Sequence, residues 1–428
     1  MSGTLAQKIA DLQEQPEVLE RLYRQNPDAF AAAILEARAV NPQSIALGVW
    51  EARLFLKEEL PSASVEERSD RTTIWLVIFL CAISGTIAKL PAFFSSIDEN
   101  TYYSRDIAFF FLPAIAGYFA ARRALSWKRL AVITGIFVVA AVAINAYPPL
   151  YNSSDSGKWD HSNSNYLAVL HLPFFLWAIA GIAFAGGRWR DAEARISYLR
   201  LTGEAIIYFA LIMITGVVMS LITFALFGAI KIEIEDWYTK WVVACGAASA
   251  PIVATHLAFT RTRSTIAPLI ARIFSPLTLL TLLAYLGAIL LQHRSPYSDR
   301  EFLVVFNIML LSVLTIAIFC ICERKPSRFF DTVLCVLLIV ALVIDFIALS
   351  AIIYRLATFG FTANRIATLV ANILVFVNLL GILIMFAPAG LRAHEASTAR
   401  NWIARFLPMY TIWTGIVVFA FPLIYRFK

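Results

Sequence analysis

One carboxylate stands in the middle of a long apolar run. Asp345 lies within 331–353, and the next apolar run, 365–388, carries Thr368, Asn372 and Asn378. A carboxylate at bilayer depth costs at least about 2.5–3.5 kcal/mol unless it is paired, protonated or hydrated, so such groups mark proton relays, ion paths or structural locks. Ala341 and Ala348 flank Asp345 on one helical face and leave room for a neighbouring helix or for water. On the following run Arg365, Thr368 and Asn372 share a face at i, i+3 and i+7. That spacing puts Asn372 about 10 Å below Arg365, close to the depth expected for Asp345. Two readings stand side by side. In the first, these groups form a proton or cation site reached from outside; in the second, a protonated or hydrogen-bonded Asp345 locks two helices together.

The connecting segment runs from Arg355 to Arg365 and has two arginines and no acid. Gly360 can take a left-handed turn conformation, and Thr362 or Asn364 can cap the following helix. Two arginines beside a capped helix start suit an anionic headgroup, phosphate or carboxylate. Simple snorkelling to the interface is the alternative reading, and the favoured one.

Signatures of soluble enzymes are missing from the sequence. There is no phosphate-binding glycine loop ending in Lys-Ser/Thr, no His-Glu-x-x-His and no Gly-x-Ser-x-Gly. No catalytic residue, metal site or cofactor is expected. The five cysteines, Cys81, Cys245, Cys320, Cys322 and Cys335, fall in or at the ends of apolar runs and read as buried thiols. His171 and His256 lie in or at the end of apolar runs and read as hydrogen-bond partners between helices.

These groups need a scaffold, and the composition names it. Of 428 residues, 60% are hydrophobic and 15% charged, against roughly 25% charged in soluble domains. Apolar runs of about 18 residues recur from Thr73 onward, the mark of a polytopic helical membrane bundle. About eleven spans are expected, at 73–93, 106–121, 129–147, 166–185, 205–230, 240–259, 269–291, 302–322, 331–353, 365–388 and 402–425. Ala244, Gly246, Ala247, Ala248, Ser249, Ala250 and Ala254 make the sixth small-faced, so a neighbour should approach closely. Pro173, Pro251 and Pro276 are expected to break or bend their helices.

Residues 1–70 read as a small soluble helical region ahead of a membrane domain, 71–428. Residues 1–72 carry eight Lys/Arg and twelve Asp/Glu. Asn26-Pro27 and Asn41-Pro42 each place a capping residue before a first-turn proline, and Pro61-Ser62-Ala63-Ser64 reads as a linker. Met1–Asp11 has no apolar signal segment, so insertion is expected to rely on later runs. A region this small buries little and suits a docking module for a protein partner.

The basic excess outside residues 1–72 falls on alternate loops. Arg122, Arg123, Lys128 and Arg129 follow the second expected span; Arg188, Arg190, Arg195 and Arg200 follow the fourth; Arg261, Arg263 and Arg272 the sixth. Arg324, Lys325 and Arg328 follow the eighth, and Arg392, Arg400 and Arg405 the tenth. The intervening loops carry Asp98, Glu99, Asp155, Asp160, Glu233, Glu235 and Asp236. This bias puts the N-terminus in the cytoplasm and the C-terminus outside. Nothing clusters the basic residues on a soluble face, so nucleic acid is not an expected partner.

Three stretches carry a family resemblance. They are Ala271-Arg272-Ile273-Phe274-Ser275-Pro276-Leu277, then Ser298-Asp299-Arg300-Glu301-Phe302-Leu303 with Cys322-Glu323-Arg324, and Gly360-Phe361-Thr362-Ala363-Asn364-Arg365 with Asn372 and Phe376-Val377-Asn378-Leu379. Together they resemble the bacterial polytopic membrane family catalogued as domain of unknown function 4153, most strongly over 205–390. Members usually carry leucine after the glycine and often proline before the Asn-Arg pair, where this chain has Phe361 and Ala363. The resemblance implies a multi-helix fold in a bacterial inner membrane and no particular activity.

The resulting expectation is an inner-membrane bundle acting as a permease, coupled to a proton or cation, whose partners are the bilayer and a small ion or small-molecule substrate. Two other classes stay open. One is a membrane sensor or assembly protein with residues 1–70 as its docking module. The other is an enzyme on lipid-linked substrates, with Arg355 and Arg365 holding phosphate.

Overall fold

The computed structural model describes residues 5–13, 15–41, 43–55, 63–148, 151–153, 159–229, 233–260, short pieces of 275–287, 300–322, 328–386 and 396–427. The chain divides into two compact units, Met1–Trp75 and Leu76–Lys428.

The first unit holds helices α1 (Leu5–Asp11), α2 (Pro16–Gln25), α3 (Pro27–Val40) and α4 (Ile45–Phe55). Their apolar faces meet in a core of Ile9, Leu19, Phe30, Ile34, Leu47 and Trp50. Tyr23, Phe30 and Trp50 pack ring against ring at 5.1–5.8 Å between centroids. The Asn26 side chain accepts from the Ala29 amide at 3.1 Å, as an Asn-Pro start predicts. The second Asn-Pro pair behaves differently. Asn41 ends α3, and the Ser44 hydroxyl accepts from the Leu47 amide at the start of α4. Arg38 ties that corner by donating to the Ser44 carbonyl at 2.5 Å and pairing with Glu51 at 3.3 Å.

The long helix α5 (Ala63–Ala88) begins inside the first unit. Ala63 and Ser64, expected in a linker, are already helical, while Pro61 and Ser62 lie outside the described residues.

The second unit continues with α6 (Leu90–Phe93), α7 (Glu99–Arg122), α8 (Trp127–Ala146), a short antiparallel hairpin of β1 (Tyr151–Ser153) and β2 (Trp159–His161), and α9 (Asn163–Ala185). Tyr151 pairs with His161 and Ser153 with Trp159. Then follow α10 (Ala192–Ala229), α11 (Glu235–Tyr238), a π-helical turn at Thr239–Val243, and α12 (Ala244–Thr260). The last elements are α13 (Arg300–Cys322), α14 (Arg328–Phe359), α15 (Ala363–Phe386), α16 (Ala396–Phe419) and α17 (Phe421–Ile424).

Seven helical stretches are long and apolar enough to cross a membrane: Trp127–Ala146, Asn163–Arg188, Ala192–Leu221, Glu235–Thr260, Arg328–Phe359, Ala363–Phe386 and Thr398–Phe419. Thr72–Ala88 and Phe306–Cys322 are shorter apolar helices. These nine overlap nine of the eleven expected runs, but only seven of them are of spanning length. The second expected span, 106–121, lies on α7, whose first half carries Glu99, Arg105 and Asp106. The seventh, 269–291, falls mostly outside the described residues. Outward faces are apolar too: Val132, Val139, Ile214, Val217, Val343 and Phe346 are all more than half exposed. A helix apolar on its outer face as well as its packed one needs lipid or another protein around it.

Two apolar cores organise this unit. One gathers side chains of α5, α7, α8, α9 and α12, and the other those of α13, α14, α15 and α16. Trp177 on α9 borders both. The expected close approach at α12 is realised against α5. There the Ser84 hydroxyl donates to the Ala248 carbonyl at 2.9 Å, and a Cβ at Gly85 would lie 3.4 Å from that of Cys245. Pro173 and Pro251, expected as breaks, sit inside the continuous helices α9 and α12.

Several arginines donate to backbone carbonyls that lack amide partners, most of them at helix ends. Arg123 donates to the Phe184 carbonyl at 3.1 Å, near the end of α9. Arg200, within α10, reaches the carbonyl of Cys322 at the end of α13 at 3.1 Å, and Arg195 reaches that of Ala404 inside α16 at 2.9 Å, which Pro408 four residues on leaves without an amide donor. Arg105 donates to the carbonyls of Tyr147, at 2.9 Å, and Pro148 beyond the end of α8.

Candidate functional site

Asp345 is fully buried on α14, among Ala341, Ile344 and Ala348. Among the described residues neither of its carboxyl oxygens has a hydrogen-bond partner. The turn that follows sets its level against α15. Helix α14 runs to Phe359, beyond the expected end at 353, and α15 starts at Ala363. Asp345 lies fourteen residues before Phe359, or about 21 Å along the helix axis at the standard rise. Asn378 lies fifteen residues after Ala363, about 22 Å down the antiparallel partner. Asn378, rather than Asn372, therefore stands level with the acid; Asn372 is about 7 Å nearer the turn.

Helix α16 completes that level. Asn378, 1% exposed, donates from Nδ2 to the Tyr410 hydroxyl at 2.9 Å. Its Oδ1 accepts from Trp402 Nε1 at 3.2 Å. Tyr410 is close enough to Asp345 for the two to interact electrostatically. Helices pack closely here because position 381 has no side chain: a Cβ on Gly381 would overlap the Trp402 indole. Trp402, Phe406 and Tyr410 stack down one face of α16, with ring centroids 5.8 and 5.4 Å apart. The result is a carboxylate, an amide and a phenol converging from three helices, all but the carboxylate already hydrogen-bonded. Oxygen donors of this kind suit a proton or a hard cation.

The other polar residues of α15 are arranged differently. Asn372 is 3% exposed and its Nδ2 has no partner. Thr368 bonds back to the Asn364 carbonyl at 2.8 Å, within its own helix. Arg365 turns back onto the preceding corner and donates to the carbonyls of Phe359 at 2.6 Å and Gly360 at 2.7 Å. Its guanidinium and that of Arg355 both lie over the Phe359 ring, at 5.6 and 5.9 Å. Gly360 takes φ +77°, and Thr362 accepts from the Arg365 amide at 3.4 Å, so this is a built helix–turn–helix corner. Both arginines pack on that corner, and Arg365 lies about 20 Å along α15 from Asn378.

Trp402 and Tyr410 went unread in the sequence. The signal available was an aromatic stripe at i, i+4 and i+8 opposite a helix that offers Asn378 and Gly381. His256 bonds Tyr118 across helices at 3.0 Å, and His171 bonds the Leu167 carbonyl of its own helix at 2.8 Å. None of the five cysteines is in a disulfide, and no grouping of three His, Cys, Asp or Glu among the described residues could hold a metal.

No protein-family model, no curated protein and no solved structure matches the chain.

Proposed function

We propose that the protein is a permease-like bundle of about eleven spans in a bacterial inner membrane, with a small soluble N-terminal region in the cytoplasm and its C-terminus outside. Membership of the polytopic family it resembles belongs to this reading. Transport of a small ion or molecule is coupled to a proton or cation taken up at Asp345. The observation that carries this is Asp345 itself, fully buried with both oxygens unpartnered, beside the Asn378–Tyr410–Trp402 cluster. A carboxylate serving only as a lock would be expected to spend its oxygens on hydrogen bonds between helices, since burying them unpaired is costly. A site that loads and releases a small charge keeps them available.

Asp345→Asn tests this, because the amide keeps the volume and removes the titration. The expected result is near-normal expression and melting with loss of the coupled activity in a cellular phenotype assay. Strong destabilisation with normal activity per folded molecule would instead make Asp345 a structural lock.

A second reading, a sensor or assembly protein docked through its N-terminal helices, draws on the first unit. Leu35, Val40, Ile45 and Val49 are 45–84% exposed on α3 and α4, an apolar face suited to a protein partner. Recovery of one stoichiometric partner through residues 1–70 would favour it; its absence favours the permease.

A further inference from the structure

A cavity of about 470 Å³ lies between α7, α9, α10 and α12 and the end of α5, within the usual pocket range of roughly 300–1,000 Å³. Its walls are Phe111 and Phe119 of α7, Trp177 of α9, Ala205 of α10, and Ala247 and Pro251 of α12. The alanines explain why the space exists: α12 offers no side chain large enough to fill it. Polar groups in the wall are already spent. Thr202 accepts from Trp177 Nε1 at 3.1 Å, Thr255 donates to the Pro251 carbonyl at 2.7 Å, and the Tyr103 hydroxyl donates to the Ala88 carbonyl at 2.9 Å. Only hydrocarbon can occupy such a space without stranding its own hydrogen bonds.

A buried cation adjoins the cavity wall. Ala88 and Tyr103 line the cavity, and Lys89, which follows Ala88 in the chain, is 5% exposed. The Lys89 ammonium donates to the Tyr103 hydroxyl at 3.4 Å and faces the rings of Tyr103 and Trp241 at 6.0 and 5.5 Å. Among the described residues no carboxylate pairs with it. Aromatic faces offset part of the cost of burying a cation, and a counter-anion would offset the rest.

We propose that this cavity binds a single-chain anionic amphiphile, with the hydrocarbon chain between α7, α10 and α12 and its carboxylate or phosphate on Lys89. A volume of 470 Å³ accommodates about fifteen methylenes, if each fills roughly the ~30 Å³ of a liquid water. The site is separate from Asp345, and neither depends on the other.

Trp177 in the wall supplies the readout. The purified full-length protein in detergent is titrated with dibrominated stearate, with dibrominated lysophosphatidate, and with the methyl ester of the first; bromine quenches an indole it touches. Saturable quenching is expected for both anions, lost in Trp177→Phe, and at least tenfold weaker for the ester and for Lys89→Gln. Lys89→Arg should retain it, and Ala247→Phe should block it by filling the cavity. The anion that binds more tightly identifies the head group. Equal binding of acid and ester to the native protein would overturn the proposal, leaving ordinary surrounding lipid, and so would quenching that survives Ala247→Phe. The acid–ester comparison needs no variant, so it decides even where Lys89→Gln fails to fold.

Discussion

Replacing Gly381 by alanine probes the packing that holds Asn378 in place. The added methyl would overlap the Trp402 indole at Cε2, Cζ2 and Nε1, which belong to a rigid bicycle rather than a flexible chain end. Either the indole rotates out of its rotamer or α15 and α16 move apart. Overpacking of this kind costs about 1–3 kcal/mol. Turning the indole also breaks its bonds to Asn378 Oδ1 at 3.2 Å and to the Asn378 carbonyl at 3.3 Å. Hydrogen bonds between membrane helices contribute about 0.6 kcal/mol on average. The expected loss is therefore about 2–3 kcal/mol, read as a shifted midpoint in equilibrium unfolding from mixed detergent micelles. Trp402→Phe alone forfeits the hydrogen bonds and some contact, at about 1 kcal/mol. Combined with Gly381→Ala it removes much of the overlap, so the double variant should be more stable than the two losses predict, with a coupling of about 1 kcal/mol or more. Strict additivity, or a Gly381→Ala protein as stable as the native one, would refute this contact and with it the placement of Asn378.

Three further outcomes follow from individual contacts. Arg365→Gln removes the donor to the Phe359 and Gly360 carbonyls and should destabilise by about 1 kcal/mol with activity per folded molecule unchanged; lost activity in a fully stable protein would favour Arg365 as an anion contact. The Asp98 carboxylate caps α7, and the hydroxyl and amide of Thr101, the latter at 2.8 Å, hold it below the usual carboxylate range. Its stabilising effect is thus present above the ordinary Asp pKa and is lost as pH falls through the lowered one. Amide exchange at Thr101 should quicken in acid, beyond the intrinsic pH effect, in the native protein but not in Asp98→Asn; equal behaviour of the two would remove the carboxylate from that role. Single cysteines at Ser154 and Ser327 should label from opposite sides of intact cells, and labelling of both from outside would invert the proposed orientation.

Helix positions were legible where apolar runs begin and end abruptly. The runs 129–147, 166–185 and 365–388 correspond to α8, α9 and α15 within a few residues, because caps such as Ser162 and Thr362 stand beside them. Helix α10 was expected from 205 and starts at Ala192, since its first turns carry Glu193, Arg195 and Arg200 and fail any test of continuous hydrophobicity. Those arginines find carbonyls on α13 and α16, which no local pattern encodes. Asp345 was visible as an acid out of place. Its partners were not, because a helix end six residues later than expected moves the facing level from Asn372 to Asn378, and Tyr410 arrives from a helix not adjacent in sequence. The apolar cavity was invisible for the same reason: its walls come from five helices that meet only in three dimensions.

The most direct test of coupling at Asp345 is infrared difference spectroscopy on the protein in lipid vesicles, recorded across a pH step with and without alkali cations. A working site predicts a carboxyl band that changes with the pH step or with added cation, vanishes in Asp345→Asn and shifts in Tyr410→Phe. A difference spectrum identical for the native protein and Asp345→Asn under every condition would contradict it, and would leave the acid as a fixed part of the α14–α15–α16 packing.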